Sequence, residues 1–568
     1  MDYYLKNMLK KLLPILLICA FGFLLRIYQI DKVPPSLNWD EVSHGYNAYS
    51  ILKTGKDEWG KNFPISNFRA YGDYPLPLNL YVTLPFIKLL GLNEFAIRFP
   101  HALLGTITIL SSYFLFLGIT KNKKLSIFGA FLVAIDPWHL FTSRFVLQSN
   151  LSVALLTASA AFFVNGINTK KKYLLPVAFT LLGLTLFSYH STRIFAPILL
   201  VAIAIIYRQK LLEHFKSKTG IISAVLILLF FAPLPVLLNN PEARARANWI
   251  FLVDKGAIAK IEEQRNQSTL TPIATKLLYN RPVFFAQKFA SNYLGYFSPQ
   301  YLFLKGGTQY QFSIPDNGVL YSAYLPFFYL GLFILIKRAK NNKNYQFVLA
   351  WLLMAPIAAS VTQEKYAVLR STAMLPIPEL LTVLGGYKIF EIIQARKAWL
   401  SKSLAIGFAA LLLFQVSAYL KNMFFVYPVA YSQDWQYGYK EVVTYIKTNY
   451  QKYDKIIITK KYGEPHEFLL FFWPWDPASY ENDPNLVRFA QSEWFWVDRF
   501  DKFYFMNDWD IPKETNKSWK LESGGTISVI PKKTLLITSP GSHPPDWNLL
   551  EKVDFLDGKP AFEILEKM

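Results

Sequence analysis

The stretch that decides the architecture is LLPILLICAFGFLLRIYQI (residues 12–30), followed at once by DKVPPSLNWDE (31–41). The first part carries a single charge, Arg26, and as a helix is long enough to cross a hydrocarbon core of about 30 Å. The second part is a double proline, a tryptophan and two adjacent carboxylates, which belong in water. No small-residue cleavage site separates them, and the apolar run continues into FLLRIYQIDKVPP, so the segment reads as a retained first span rather than a removed signal peptide. Working outward, further apolar runs lie at 97–119, 125–142, 150–167, 173–190, 193–208, 220–238, 319–337, 345–361, 370–388 and 402–420. Segment 76–91 (LPLNLYVTLPFIKLLG) is apolar but short and holds two prolines, which predicts a helix lying at the membrane interface.

Composition agrees with a membrane protein that has a sizeable water-facing part. Of 568 residues, 52% are hydrophobic, 17% aromatic and 17% charged, with a mean hydropathy of +0.21. A disordered chain, a collagen and a disulfide scaffold are excluded. Cys19 is the single cysteine, so no intrachain disulfide and no cysteine-based metal cluster can form. The positive excess behind the net charge of +21 sits in residues 1–420, with 42 basic against 18 acidic residues (+24), whereas residues 421–568 hold 18 against 21 (−3). An excess confined to the apolar part marks topology anchors, and no nucleic-acid-binding motif accompanies it, so no nucleic-acid partner is expected.

The basic residues also set orientation. Clusters fall at Lys6/Lys10/Lys11, Lys121/Lys123/Lys124, Lys170/Lys171/Lys172, Arg208/Lys210/Lys216/Lys218, Lys337/Arg338/Lys340/Lys343 and Lys388/Arg396/Lys397/Lys402. All share one side if there are eleven spans and 76–91 does not cross. By the positive-inside rule that side is cytoplasmic. The expectation is therefore a polytopic α-helical protein of about eleven transmembrane helices in the plasma membrane, with its N-terminus cytoplasmic. Residues 1–420 form the membrane domain, with exterior loops 31–96 and 239–318. Residues 421–568 form a soluble exterior α/β domain, in which DKIIIT (454–459) and TLLIT (534–538) read as strands, TISVIP (526–531) as another, and EPHEFLLFF (464–472) as a helix. No glycine-rich phosphate loop is present there.

Chemistry gathers at the exterior span ends. Asp40-Glu41 directly follows the first span, and a pair of carboxylates at a helix N-terminus is by itself unremarkable. Its surroundings add weight: VSHGYNAYSILKTG predicts an amphipathic helix at the membrane surface, and RAYGDYPLPLNLY brings Arg69, Tyr71, Asp73 and Tyr74 to the same boundary. Asp136-Pro-Trp-His139 with Ser143-Arg144, Ser188-Tyr-His190-Ser-Thr-Arg193, and Glu364-Lys365 with Arg370-Ser-Thr occupy the short exterior turns. Interfacial anchoring would account for one such cluster. An arginine in every short exterior turn points instead to a shared anionic site, because guanidinium pairs bidentately with phosphate.

These residues resemble the dolichyl-phosphate-mannose–protein mannosyltransferase family, glycosyltransferase family 39 of the GT-C superfold, in a bacterial-type form. The resemblance covers most of 1–420. It rests on Asp40-Glu41, Phe95-Ala-Ile-Arg98-Phe-Pro100, Pro137-Trp-His-Leu-Phe-Thr-Ser-Arg144, Tyr189-His-Ser-Thr-Arg193 and Leu369-Arg370-Ser-Thr-Ala-Met-Leu-Pro376, with Trp435-Gln-Tyr-Gly438-Tyr-Lys-Glu441 and the α/β tail beyond. It implies inverting transfer of a sugar from a polyprenyl-phosphate carrier to an acceptor hydroxyl of a protein, glycan or lipid on the exterior face. Asp40 and Glu41 match the family's catalytic pair; Arg69, Tyr71, Tyr74, Arg144, His190, Arg193 and Arg370 are the candidate substrate contacts. Two departures stand out. The acidic residue that often follows the second-loop arginine is absent from Arg144-Phe-Val-Leu-Gln148-Ser-Asn150, and the lysine-led stretch of relatives that modify lipid A is Tyr74-Pro-Leu-Pro77 here. No cofactor is assigned, and a divalent cation near the carboxylates is left open, since one Asp-Glu pair offers too few ligands to claim a metal. A transporter or flippase for a lipid-linked saccharide is the alternative; it predicts polar residues at mid-membrane depth. A membrane-anchored binding protein would leave the exterior arginines unexplained.

Overall fold

The computed structural model describes residues 2–242, 249–492, 494–514 and 519–567, with the side chains of 2–11 outside the description. The side chains of the cluster Lys6/Lys10/Lys11, and positions 243–248 of the expected exterior segment 239–318, therefore lie outside the description. The chain divides into two compact units: Met1–Tyr28, His101–Ser143 and Leu147–Leu420 form one, and Gln29–Pro100, Arg144–Val146 and Lys421–Met568 the other.

The first unit is helical, and a helix occupies each expected apolar run that falls in it. Among the described residues, five helices are long and apolar enough to cross a membrane, or up to seven if two bent pairs each count once, so length and composition alone do not reach eleven there. The shortfall has a visible cause. Several runs are broken at prolines, which lack the N–H that would continue the ladder. Helix Lys123–Ile135 stops where Asp136 caps the short helix Pro137–Thr142, and Val368–Met374 meets Ile377–Arg396 at 52° across Pro376. Helix character follows sequence. The most apolar stretch, Lys218–Asn239, is only 6% buried within the protein, as suits a lipid-facing helix, whereas Gln148–Asn168, with Ser149, Asn150, Ser152, Thr157 and Ser159, is 83% buried. Small polar residues let helix backbones approach closely where lipid supplies no hydrophobic drive.

The second unit is built on a seven-stranded mixed sheet. Its strands are β1 Lys455–Thr459, β2 Val487–Gln491, β3 Trp494–Phe500, β4 Phe503–Met506, β7 Thr534–Thr538, β8 Trp547–Asp554 and β9 Pro560–Lys567; β5 Trp519–Lys520 and β6 Thr526–Ile527 form a separate ribbon. The order is β2-β3-β4-β1-β7-β9-β8, with β1 parallel to both neighbours and the outer pairs antiparallel. KIIIT and TLLIT are continuous apolar runs because both faces of the central strands are covered. Ile456, Ile458, Phe503 and Phe505 face the larger core, and Ile457, Met506 and Leu536 face a smaller one with Trp519 and Trp547.

The larger core changes the expected domain boundary. It joins Leu37, Val42, Tyr46, Phe68 and Leu80 of segment 31–96 to Tyr439, Phe468 and Phe471. That segment therefore folds with residues 421–568 rather than with the spans that flank it. Helix Trp39–Thr54 is correspondingly not one-sided: ten of its sixteen residues are buried, from Glu41 through Ala48 and at Ser50 and Ile51. Gly45 permits this, since a Cβ there would lie 2.4 Å from the Phe471 ring. Segment 76–91 forms helix Leu78–Leu90, which packs against helix Trp39–Thr54.

Candidate active site

Helix Trp39–Thr54 opens with Asn38 as its cap, whose side-chain oxygen accepts the Glu41 backbone N–H at 2.9 Å. That cap fixes Asp40 and Glu41 in the first turn, and the two carboxylates then meet opposite environments. Glu41 is fully buried. Its Oε1 accepts from Arg98 Nε at 2.9 Å and from the Val146 backbone N–H at 3.0 Å, and its Oε2 accepts from Arg98 Nη2 at 2.6 Å. Arg98 is buried as completely and also donates to the carbonyls of Ile30, Pro34 and Ser36. Glu41 is thus half of a bidentate ion pair that ties the segment leaving the first span to the start of helix Glu94–Thr120.

Asp40 is exposed, and its Oδ1 accepts the Tyr71 hydroxyl. Tyr71 lies in an aromatic group with Trp494 and Trp39: ring centroids are 5.1 Å apart for Tyr71–Trp494, 5.7 Å for Trp39–Tyr71 and 6.2 Å for Trp39–Trp494. The Tyr71 carbonyl accepts the Phe495 N–H at 2.7 Å, which ties this loop to strand β3. Gly72 is required beside it, because a Cβ would sit 2.1 Å from Trp494. The Trp494 indole N–H in turn donates to Glu464. Arg69 places its guanidinium over Phe495 at 4.4 Å, Trp59 at 5.1 Å and Tyr74 at 5.9 Å, as cation–π contacts. Asp40, Arg69, Tyr71 and Tyr74 therefore share one neighbourhood of the second unit. Trp494, at the start of strand β3, completes it; nothing in the sequence tied that residue to a loop more than 400 positions earlier.

The other candidates are placed differently. Arg144 is fully buried, donates to the carbonyls of Val33 at 3.0 Å and Gln29 at 3.3 Å, and lies over the Phe424 ring at 4.8 Å. In the helical unit, Arg193 is buried and donates from Nε to the Leu186 carbonyl at 3.0 Å. His190 is half-buried in the turn before helix Thr192–Ile206. Arg370 stays about 20% exposed and pairs with Glu364 at 2.8 Å. The same unit contains an apolar cavity of about 930 Å³ whose walls include Phe128, Phe131, Phe327, Tyr387, Phe408 and Leu412. Buried polar groups also occur there: Arg26 donates to the carbonyls of Gly22 and Ala134 and meets His139 Nδ1 at 2.9 Å.

Residues 73–236 match the family model of the dolichyl-phosphate-mannose-protein mannosyltransferases. The resemblance read from the sequence is borne out over that stretch, which ends short of Asp40 and Glu41 on the N-terminal side. Among solved structures, apo ArnT from Cupriavidus metallidurans aligns over 97% of each chain at 11% identity with a TM-score of 0.50. The Archaeoglobus fulgidus oligosaccharyltransferase, tethered with an acceptor peptide, aligns at 15% identity with a TM-score of 0.50. That alignment covers 81% of this chain and 59% of the archaeal protein, so the chain spans less than two thirds of that relative's length. No curated protein sequence matches the chain. The fold is therefore shared with these two solved membrane proteins: polytopic and helical, with a sheet-containing C-terminal domain.

Proposed function

We propose that the protein transfers a sugar from a polyprenyl-phosphate carrier to an acceptor hydroxyl, with inversion, on the exterior face of the plasma membrane. The observation that carries this reading is the contrast at the helix start: Asp40 is exposed and held by Tyr71, beside a helix whose other carboxylate is locked to Arg98. The acceptor hydroxyl gives its proton to the Asp40 carboxylate, and its oxygen attacks the anomeric carbon from the side opposite the phosphate. The bond to the carrier phosphate breaks as the new glycosidic bond forms. Trp39, Tyr71 and Trp494 offer aromatic faces with polar tips, which suit the mixed surface of a sugar. Glu41 is assigned a positioning role, since a bidentate partner and a backbone N–H already occupy its oxygens. Arg144 is assigned the same role through the backbone of Gln29 and Val33, Arg69 and Tyr74 contact substrate, and His190 does so in the helical unit.

A departing phosphate gains charge, and charge-assisted donors stabilise it. Arg370, part-exposed and beside Ser371 and Thr372, is our first candidate for this role and Arg193 the second. The apolar cavity of the helical unit suits a prenyl chain.

The test uses purified protein in detergent with a synthetic polyprenyl-phosphate sugar. Asp40→Asn keeps shape but takes no proton, and should lower turnover about 10²- to 10⁴-fold while carrier binding persists. Near-normal turnover would remove Asp40 as base. Arg370→Lys and Arg193→Lys should each cost roughly ten- to a hundredfold, the worth of a charge-assisted hydrogen bond, with unchanged thermal stability. Losses that merely track stability would make these arginines structural.

A further inference from the structure

The second unit holds another acidic group that the transfer reaction does not use. Glu58 lies in the loop after helix Trp39–Thr54, and Glu464, His466 and Glu467 lie at the start of helix Pro465–Phe472. All four side chains are buried, and the Glu58 side chain is completely so. His466 Nε2 stands 3.7 Å from Glu58 Oε1 and 3.9 Å from Glu467 Oε1, while its Nδ1 stands 3.5 Å from Glu464 Oε2.

We propose that Glu58, His466 and Glu467 bind one divalent transition cation, Zn²⁺ or Mn²⁺, which fastens the loop at Glu58 to helix Pro465–Phe472. Four observations converge on it.

One ligand atom from each residue lies within 4.8 Å of the other two. Ligands bonded to a common ion at about 2.0–2.2 Å sit roughly 3–4 Å apart, so shifts of about 1 Å close the site. The second observation is that both ring nitrogens of His466 face carboxylates. A metal-bound histidine typically passes its other N–H to a carboxylate, which fixes the ring, and Glu464 stands in that place. Glu464 is itself held by the Trp494 indole N–H.

Third, among the described residues neither oxygen of Glu58 has a hydrogen-bond partner of ordinary geometry, and the same holds for Oε2 of Glu464 and of Glu467. Buried carboxylates in that condition require a proton or a cation. Burial first, and mutual repulsion with it, pushes Glu467 well above the usual carboxylate range and Glu464 up to about 8; burial also raises Glu58 and holds His466 well below its ordinary value. A neutral imidazole is the form that ligates metal. The charges nearby fall short of neutrality. Arg488 gives one donor to the Glu58 carbonyl at 2.8 Å and lies over the rings of Trp59 and Tyr480, and Lys460 is engaged by Asp498 and Glu522. Glu58, Glu464, Glu467 and the buried Asp57 share Arg488 as the nearest cation not already engaged, so the group needs protons or an added cation to approach neutrality.

Fourth, an imidazole with two carboxylates suits Zn²⁺ and Mn²⁺, whereas Mg²⁺ and Ca²⁺ favour all-oxygen shells. Asp40 contributes no ligand, so this site and the transfer reading fail separately.

The experiment takes the full chain in detergent, strips it with chelator and titrates it with Zn²⁺, Mn²⁺, Mg²⁺ and Ca²⁺, reading bound metal by elemental mass spectrometry and the thermal midpoint. Co²⁺ then reports imidazole ligation by its visible absorption. The expected result is one equivalent of Zn²⁺ or Mn²⁺ per chain and a midpoint raised by about 3 °C or more at saturating metal. Glu58→Gln and Glu467→Gln keep side-chain shape and should each weaken binding tenfold or more and remove the shift. No bound equivalent, equal binding by both variants, or equal responses to Ca²⁺ and Zn²⁺ would overturn the site and leave a cluster held together by shared protons.

Discussion

Helix Trp39–Thr54 has a buried carboxylate near each end, and the two are treated oppositely. At its start, Glu41 meets its counter-charge within the chain: Arg98 binds it through two parallel hydrogen bonds, and the Val146 N–H adds a third. Just past its end, Glu58 is buried as deeply but no hydrogen bond of ordinary geometry reaches either oxygen among the described residues. A carboxylate answered by its own arginine is part of the scaffold. One without such an answer is open to something from outside. The comparison predicts that removing charge at the two positions has very different consequences.

The largest effect belongs to the satisfied pair. Removing one partner of a buried ion pair strands the other and typically costs about 3–5 kcal/mol. Arg98→Met and Glu41→Gln should therefore each sharply lower the thermal midpoint in detergent. The double variant Glu41→Leu with Arg98→Met should recover much of the loss, because replacing both charges with apolar groups is often near neutral. Additive losses would show that the two residues act independently.

Asp40, next to Glu41, sharpens the same comparison through activity. Tyr71→Phe removes only the hydroxyl that donates to Asp40 and leaves the ring in its stack with Trp39 and Trp494. A hydrogen bond to a charged group is worth about 1.5–3 kcal/mol, so turnover should fall roughly ten- to a hundredfold with little change in stability. A fall in the midpoint comparable to that of Arg98→Met would make Tyr71 part of the scaffold as well.

Much of this was legible in the sequence, and the remainder was hidden for identifiable reasons. Apolar runs and basic clusters are local signals, and helices lie where the runs are. KIIIT, TLLIT and the helix at Pro465–Phe472 were equally readable. The Asp40-Glu41 pair was visible as a pair; its division of labour was not, because it depends on Arg98, whose motif reads as a family segment without naming a partner. Grouping segment 31–96 with residues 421–568 depends on long-range packing of Val42 and Tyr46 with Phe468 and Phe471, which no periodicity encodes. The same holds for His466: EPHEFLLFF reads as a helix, and only the fold brings Glu58 to it.

The smallest effect, and the one that cuts closest to the comparison, is Glu58→Gln in metal-free protein. The amide retains the volume of the side chain, so no cavity forms and packing against its neighbours is kept. It removes a charge that repels Glu467 and that no arginine pairs bidentately. The energetic penalty that follows Glu41→Gln therefore has no counterpart here. Surroundings that already disfavour a charged carboxylate should accept a neutral amide within about 1 kcal/mol, in the range of substitutions that open no cavity and strand no charge. The measurement is the thermal midpoint after chelation, wild type against Glu58→Gln, with Glu41→Gln alongside. A loss at Glu58 as large as that at Glu41 would mean that Glu58 also has its counter-charge within the chain, with Arg488 the nearest claimant, and the distinction between the two ends of the helix would not stand.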